Sequence, residues 1–144
     1  KALLNTKLPE ASQTSTFLSE MIQEGKILYG IDLLLPEVED SLKIGYTAEQ
    51  LDWCKANEGN IYKLFIEDNL LFSAEQKKYA KYLEEAPFTA GLANNSAPRI
   101  GIWCGWQIVK NYMNNNPSIS FDELWKEKDA QKILKLATYK PKNI

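Results

Sequence analysis

Two glutamates four residues apart, Glu20 and Glu24, are the first candidates for chemistry in this chain. Residues at this spacing lie on one face of a helix, so the two carboxylates could act together in general acid–base catalysis. The same spacing is typical of a solvated helix edge, where repulsion between like charges costs roughly a few tenths of a kcal/mol. The pair therefore has both a catalytic and a surface interpretation.

Arg99 is the second candidate, because its position predicts that it lies in the first turn of a helix. A cation there opposes the helix dipole, whose positive end is at the N-terminus. A carboxylate in a neighbouring loop would compensate, and so would an anionic group on a binding partner. Both an anchoring role and a partner-binding role are therefore open.

Trp103 and Trp106 follow Arg99 closely and make the aromatic side chains the third candidate. Four tryptophans and seven tyrosines could form a platform for a sugar or a peptide. Aromatic side chains in a small helical domain mostly fill the core, however, and this second interpretation also applies here. We predict that Arg99, Trp103 and Trp106, next to a loop at residues 86–97, form the contact surface for a partner.

The chain contains no histidine, and its two cysteines are Cys54 and Cys104. Histidine-dependent triads, histidine zinc sites and imidazole acid–base catalysis are therefore excluded within this chain alone. A free cysteine in helix-like sequence commonly behaves as a small buried hydrophobe. A disulfide between the two would need Cα atoms within about 7 Å, so pairing stays open. We predict no catalytic residue and no cofactor in this chain.

The charge of the chain is nearly balanced, with 17 basic and 19 acidic residues among 144. No strong positive field exists to attract nucleic acid or an anionic membrane. The most apolar stretch, residues 27–35, is interrupted by Gly30 and Asp32 and is too short to span a bilayer. We therefore predict a domain that neither binds nucleic acid nor spans a membrane.

The helix that must position Arg99 and the two tryptophans is predicted over residues 98–113. Pro98 suits the first helical position, because the N–H group that proline lacks would be unpaired there. Ser96 or Asn95 could cap this turn.

Gly101 and Gly105 leave one face of this helix without side chains. Each glycine costs roughly 1 kcal/mol relative to alanine in a helix interior, so the bare face needs a structural reason. Another element must pack closely against it. We therefore predict that Pro98, Gly101 and Gly105 are structural and that their helix is central to the core.

Helical periodicity recurs along the rest of the chain, while the alternation typical of strands is nearly missing. The predicted fold class is mainly α, a single compact domain of five to six helices around the glycine-containing helix. The domain is predicted over residues 13–139, between a flexible leader at residues 1–12 and a tail at residues 140–144. The first long helix is predicted over residues 13–35, and residues 40–46 are predicted to form a turn.

Several local patterns predict where the other helices begin. Thr47-x-x-Gln50, Ser73-x-x-Gln76 and Ser120-x-x-Glu123 can each form a reciprocal cap, and Asp129 can cap a last helix over residues 130–138. The helix that follows Thr47 is predicted to bend at residues 57–60, where the sequence is polar and contains glycine. The helix that follows Ser73 is predicted to reach residue 85.

Several of these segments, in this order, resemble the gliding-motility lipoprotein GldB family of Bacteroidetes. The resemblance rests on residues 21–29, 34–36, 44–54, 57–58, 86–88, 98–113 and 139–141. It implies an outer-membrane lipoprotein that faces the periplasm and is needed for gliding and the associated secretion machinery. This chain, beginning at Lys1, would correspond to roughly its second half, with the lipid anchor outside the chain and envelope proteins of the gliding and secretion machinery as partners.

The family is also distantly similar to predicted zinc-dependent protease lipoproteins. Their first half carries His-Glu-x-x-His, and their second half supplies a metal-binding glutamate in a Glu-Gly helix, which Glu24-Gly25 matches. This similarity implies an alternative in which Glu24 is a metal ligand in the C-terminal half of a zincin-like fold. Catalytic zinc sites typically combine two histidines with a carboxylate, and this chain could supply only the carboxylate. Our main expectation is a noncatalytic periplasmic domain that acts by binding or scaffolding.

Overall fold

The computed structural model describes residues 15–85, 89, 92 and 96–141, and α-helices make up most of them. The α-helices in the described residues are α1 (Phe17–Leu34), α2 (Asp40–Ile44), α3 (Ala48–Ala56), α4 (Glu58–Glu67), α5 (Gln76–Tyr79), α6 (Ile100–Asn115), α7 (Phe121–Lys126) and α8 (Ala130–Ala137). A 3-10 turn at Ala80–Tyr82 follows α5. The predicted class is confirmed, and the helices are more numerous and shorter than predicted.

The crossing of α1 and α6 lies at the centre of the domain, and two glycines make it close. A Cβ atom on Gly25 would lie 2.6 Å from the carbonyl carbon of Gly105 and 2.9 Å from the backbone nitrogen of Trp106. A Cβ atom on Gly105 would meet the carbonyl oxygen of Met21 and would lie 3.0 Å from the Cβ of Met21. The bare face of α6 therefore packs on the backbone of α1.

Aromatic side chains surround the N-terminal part of this crossing. The Phe17 ring lies 4.9 Å from the Phe65 ring and 4.9 Å from the Tyr79 ring, measured between centroids. Tyr82 continues the cluster, with its ring centroid 5.1 Å from that of Phe65. A Cβ atom on Gly101 would lie 2.9 Å from the Phe17 ring, so this glycine leaves the space that the aromatic cluster fills. α6 also packs extensively against α8, which closes the core on another side.

The start of α6 differs from the prediction. The helix begins at Ile100, and Arg99 is its N-cap residue, with φ at 53° in the left-handed region. Pro98 therefore precedes the helix, and its carbonyl accepts a hydrogen bond of 2.6 Å from the Tyr46 hydroxyl. The Ser96 hydroxyl accepts from the backbone N–H of Thr89 at 3.2 Å and does not cap α6. Asn95 lies outside the described residues.

Most of the predicted caps are confirmed. Thr47 with Gln50 and Ser120 with Glu123 form reciprocal capping boxes at the starts of α3 and α7. The Asp129 carboxylate accepts from the backbone N–H of Lys132 at 3.1 Å and caps α8. Local sequence determines these starts because each cap joins residues only three positions apart.

Two further helix starts, besides that of α6, were predicted incorrectly. The Ser73 hydroxyl accepts from the backbone N–H of Glu75 at 3.1 Å, which makes a local turn, and α5 has only four residues. α1 begins at Phe17 instead of residue 13, where Thr16 and Ser19 form a capping box. This box uses serine where the usual pattern has Glu or Gln, so the sequence signal was missed.

The segment between α1 and α4 is more helical than predicted at its start. The turn predicted at residues 40–46 contains α2, which is followed by its C-cap residue Gly45, where φ is 81°. Only glycine adopts this conformation readily. The predicted bend at residues 57–60 is confirmed as a break at Asn57, where α3 gives way to α4. The predicted leader, most of the predicted loop at residues 86–97 and the end of the predicted tail lie outside the described residues.

Two Gly→Ala substitutions in α1 test the helix crossing. Gly25→Ala should destabilise the fold by about 1–3 kcal/mol or more, because its Cβ would overlap backbone atoms of α6 that cannot move aside cheaply. Gly30→Ala is the matched control, because its Cβ would meet only the Phe121 ring, at 3.1 Å, and alanine gains helix propensity of about 1 kcal/mol. Urea unfolding measures both, and equal stabilities for the two variants would contradict the crossing.

Candidate functional site

Arg99 binds the end of another helix. Its Nη1 donates to the carbonyl oxygen of Ile44 at 2.6 Å, and its Nη2 approaches that of Gly45 at 3.4 Å. The guanidinium carbon also lies 5.4 Å from the centroid of the Tyr46 ring. These carbonyls lie at the C-terminus of α2, where a helix favours a cation. The anchor is therefore a helix C-terminus and not the loop carboxylate that was expected.

The conformation of Arg99 carries a cost. Its φ of 53° lies in a region that non-glycine residues rarely adopt, and the left-handed conformation costs roughly 1–2 kcal/mol. Its Nε is buried and has no hydrogen-bond partner among the described residues. The guanidinium bonds to α2 compensate in part for this cost. A role of Arg99 in partner contact stays a prediction.

Trp103 and Trp106 lie in the core. Their exposed fractions are 2% and 0%, respectively, so neither side chain presents a surface to a partner in this conformation. The indole Nε1 of Trp106 donates to the Asp32 carboxylate at 2.8 Å. This hydrogen bond gives the buried N–H the partner that it needs. Any contact that these tryptophans make with a partner would require the core to open.

Asp32 belongs to a charged cluster that joins α1, α2 and α6. Its carboxylate accepts from Lys43 Nζ at 2.9 Å, and the Lys43 side chain is only 4% exposed. Lys43 also lies 3.8 Å from Asp40, which is 3.4 Å from Lys110. The Lys110 ammonium in turn lies 4.1 Å from the centroid of the Trp106 ring. Because each charge has an opposite charge beside it, the cluster is suited to holding three helices together.

Glu20 and Glu24 differ in their surroundings. The Glu20 carboxylate accepts a hydrogen bond of 2.7 Å from the Tyr79 hydroxyl, and burial together with this bond raises the pKa of Tyr79. Glu20 therefore holds the aromatic cluster in place. Glu24 is partly buried beside the glycine crossing. Within the described part of the chain, no group of three or more His, Cys, Asp and Glu residues could hold a metal ion. Glu24 as a zinc ligand stays a prediction.

Both cysteines are free and buried. Burial raises the pKa of the Cys54 thiol to about 12 and also raises the pKa of Cys104. Thiols with pKa values this far above neutral pH are poor nucleophiles, because the thiolate is the reactive form. The two residues therefore behave as the small buried hydrophobes that the sequence favoured.

The Tyr139 hydroxyl connects a buried cysteine to a cleft. Cys104 Sγ lies 4.0 Å from this hydroxyl, which donates to the Glu58 carboxylate at 2.6 Å. The adjacent cleft has a volume of about 590 Å³. Its lining residues are Lys55, Ala56, Glu58, Gly59, Asn111, Tyr139, Lys140 and Pro141. Among the described lining residues the charged ones are Lys55, Glu58 and Lys140, and the Glu58 carboxylate is already bound by Tyr139.

Four leucines at the end of α1 and on α2 are exposed and form what we call the leucine surface. The exposed fractions are 53% for Leu33, 80% for Leu34, 52% for Leu35 and 70% for Leu42. The bond between Lys43 and Asp32 holds α2 against the end of α1, so these side chains lie at the same end of the molecule. Exposed apolar patches on monomeric domains commonly mark interaction sites.

The comparisons with known proteins identify the family. The model of the family described as gliding motility protein GldB matches residues 1–141. This chain belongs to the GldB family. It is therefore related to gliding-motility lipoproteins, and its association with the cell envelope follows from that family. No curated protein and no solved structure matches the chain. None of the helices among the described residues has the length and apolar character needed to cross a bilayer.

Lys26 is a buried cation of this GldB-family domain that the sequence did not indicate. It is only 3% exposed, and its Nζ donates to the carbonyl oxygens of Glu127 at 2.6 Å and Trp125 at 3.4 Å. These carbonyls lie at the C-terminal end of α7. Burial lowers the pKa of Lys26 to about 8, although the nearby Glu127 carboxylate acts in the opposite direction. Lys26 precedes its partners by about a hundred residues, so no local pattern reveals the contact.

Two substitutions of Arg99 distinguish the stability contributed by its side-chain hydrogen bonds from the free-energy cost of its left-handed backbone conformation. Arg99→Ala should destabilise the domain by about 1–3 kcal/mol, because the charge-assisted bonds to α2 are lost. Arg99→Gly loses the same bonds but relieves the positive φ, so it should be more stable than Arg99→Ala by about 1 kcal/mol. Urea unfolding measures the difference. Equal stability of the two variants would show that the left-handed conformation carries no such cost.

The stability contribution of Lys26 should depend on pH. Its pKa is about 8 in the folded chain and 10.5 ordinarily, so the unfolded chain binds more protons between these values. Stability from this group therefore rises with pH across that window. Buried thiols and tyrosines with raised pKa values oppose this rise, so the measured quantity is the difference from Lys26→Met.

Wild type should gain stability relative to Lys26→Met when the pH rises from about 7.5 to about 9.5. Urea unfolding at several pH values measures this difference. Lys77→Met removes an exposed lysine and should give a difference that does not change over the same range. A pH-independent difference for Lys26→Met as well would show that Lys26 is not desolvated.

Proposed function

We propose that this domain serves a gliding-motility lipoprotein by binding another envelope protein, without catalysis. The observation that carries this proposal is the leucine surface. Fully burying a leucine side chain gains roughly 1.5–3 kcal/mol, so a partner that covers Leu34 and Leu42 has a substantial source of affinity. In the proposed arrangement the protein is anchored to the outer membrane outside this chain, and the domain faces the periplasm of a gliding bacterium of the Bacteroidetes type.

The noncatalytic part of the proposal rests on how the reactive side chains are used. Glu20 binds Tyr79, Asp32 binds Lys43 and Trp106, and Glu58 binds Tyr139. The thiols of both cysteines are buried and protonated at neutral pH. These groups stabilise the fold and are therefore not free for acid–base or nucleophilic work. This supports binding over catalysis.

Gliding by cells that carry substituted forms of the full-length protein tests this function. Leu34→Ser combined with Leu42→Ser should abolish or strongly reduce gliding, because the partner loses its apolar contacts. The protein level should stay normal, because substitutions at exposed positions change the free energy of unfolding by only about 0.5 kcal/mol. Phe72→Ser is the matched control. Phe72 is 56% exposed but follows Leu71, whose carbonyl accepts from Leu18 at the other end of α1.

The same experiment includes Glu24→Gln, which tests the competing enzyme interpretation. Under the proposed function these cells should glide normally. Loss of gliding with Glu24→Gln at a normal protein level, together with normal gliding of the double leucine variant, would overturn the binding role. A zinc measurement on the full-length protein then shows whether metal content depends on Glu24.

A further inference from the structure

The cations nearest the leucine surface, Lys43 and Lys110, are paired with Asp32 and Asp40, so the unpaired charges beside the leucines are negative. Residues 27–42 contain no lysine or arginine, and they contain four acidic residues: Asp32, Glu37, Glu39 and Asp40. Asp32 and Asp40 are paired within the charged cluster. Glu37 and Glu39 are exposed, and neither carboxylate forms an ion pair within the described ranges. The leucine surface therefore has an acidic rim formed by Glu37 and Glu39.

The position of this rim follows from the chain. Leu35 ends α1, and the backbone N–H of Val38 donates to the Leu35 carbonyl at 3.1 Å. This turn places Glu37 between the leucines of α1 and α2 along the chain. Any partner that covers the leucines must therefore approach these carboxylates.

The acidic rim disfavours two occupants. A second copy of the chain would bring two acidic rims together, and like charges facing each other across an interface cost free energy. A membrane surface is disfavoured because interfacial segments typically carry lysine and arginine beside their apolar face, and anionic lipids would be repelled. The occupant that complements both features has apolar side chains flanked by basic ones.

We infer that the leucine surface binds a basic amphipathic helix of another protein, an inference that rests on the proposed function. A helix is favoured over an extended strand because the described surface offers no strand edge for backbone pairing. Apolar side chains of the helix cover Leu34 and Leu42, while its lysines or arginines pair with Glu37 and Glu39. The apolar contacts supply most of the affinity, and the charges select the partner and speed association.

A synthetic peptide provides the probe. The peptide has about five helical turns of leucine and lysine in an amphipathic pattern, and its control has glutamate in place of every lysine. Fluorescence anisotropy with the 144-residue chain measures binding of each peptide. The lysine peptide should bind at least roughly tenfold more tightly than the glutamate peptide, and its affinity should fall as the salt concentration rises.

Two substituted forms of the chain distinguish the contribution of the acidic rim to peptide binding from that of the leucines. Glu37→Gln with Glu39→Gln should weaken binding of the lysine peptide roughly two- to thirtyfold, the range for two exposed ion pairs. Glu84→Gln with Glu85→Gln removes the same charge elsewhere and should have little effect. Leu34→Ser with Leu42→Ser should weaken binding of this peptide at least roughly tenfold, and Phe72→Ser should not.

The outcomes distinguish a failure of the basic-helix inference from a failure of the proposed binding function. Equal binding of both peptides that still depends on Leu34 and Leu42 would overturn the basic partner but leave the leucine surface as a binding site. Binding that is insensitive to the leucine substitutions would overturn the proposed function as well. Leucine-dependent binding to vesicles of phosphatidylethanolamine and phosphatidylglycerol, without peptide binding, would replace the helical partner with a lipid surface and so overturn this inference.

Discussion

The contact between Gly25 and Gly105 fixes the register of α1 against α6, and the other interactions of the domain depend on that register. Backbone atoms of each helix occupy the space that a side chain of the other would need, so the two helices can slide little past each other. From this crossing, Phe17 reaches the aromatic cluster in one direction and Asp32 reaches Trp106 in the other. The glycines lower the intrinsic helix propensity, but they allow the close contact that fixes the arrangement of the two central helices.

Cations that bind carbonyl oxygens recur at the ends of the short helices. Arg99 binds the C-terminal carbonyls of α2, and Lys26 binds those at the C-terminal end of α7. Asn115 completes α8 in a similar way, since its amide donates to the carbonyl of Ala137 at 2.7 Å. Short helices have a large share of unpaired backbone groups, so a side chain from a central helix or its cap satisfies carbonyls that would otherwise lack partners. Three of the short helices, α2, α7 and α8, are in this way tied to the two long ones.

Sequence reasoning succeeded mainly where a signal is local, although the reciprocal cap predicted at Ser73 did not form. The caps at Thr47, Ser120 and Asp129 each join residues three apart, and the break at Asn57 follows from a polar stretch that contains glycine. The sequence also indicated that the Arg99 side chain needs a hydrogen-bond partner. It did not indicate which partner, because the contact depends on the position of α2 and on the positive φ of Arg99. The burial of Lys26 could not be predicted, since a lysine beside a glycine is usually a surface residue. Lys26 is buried only because the distant helix α7 packs against it.

Along α1, the residues near the crossing are buried and stabilise the fold, whereas the leucines at its end are exposed. α1 has 18 residues, or roughly 27 Å, and crosses α6 near its midpoint. Residues near the crossing, such as Met21, are fully buried, whereas Leu34 lies beyond the packed region and is 80% exposed. The apolar sequence of α1 therefore continues past the helices that cover it. Because folding stability gains little from those last leucines, their apolar character is consistent with the proposed partner surface.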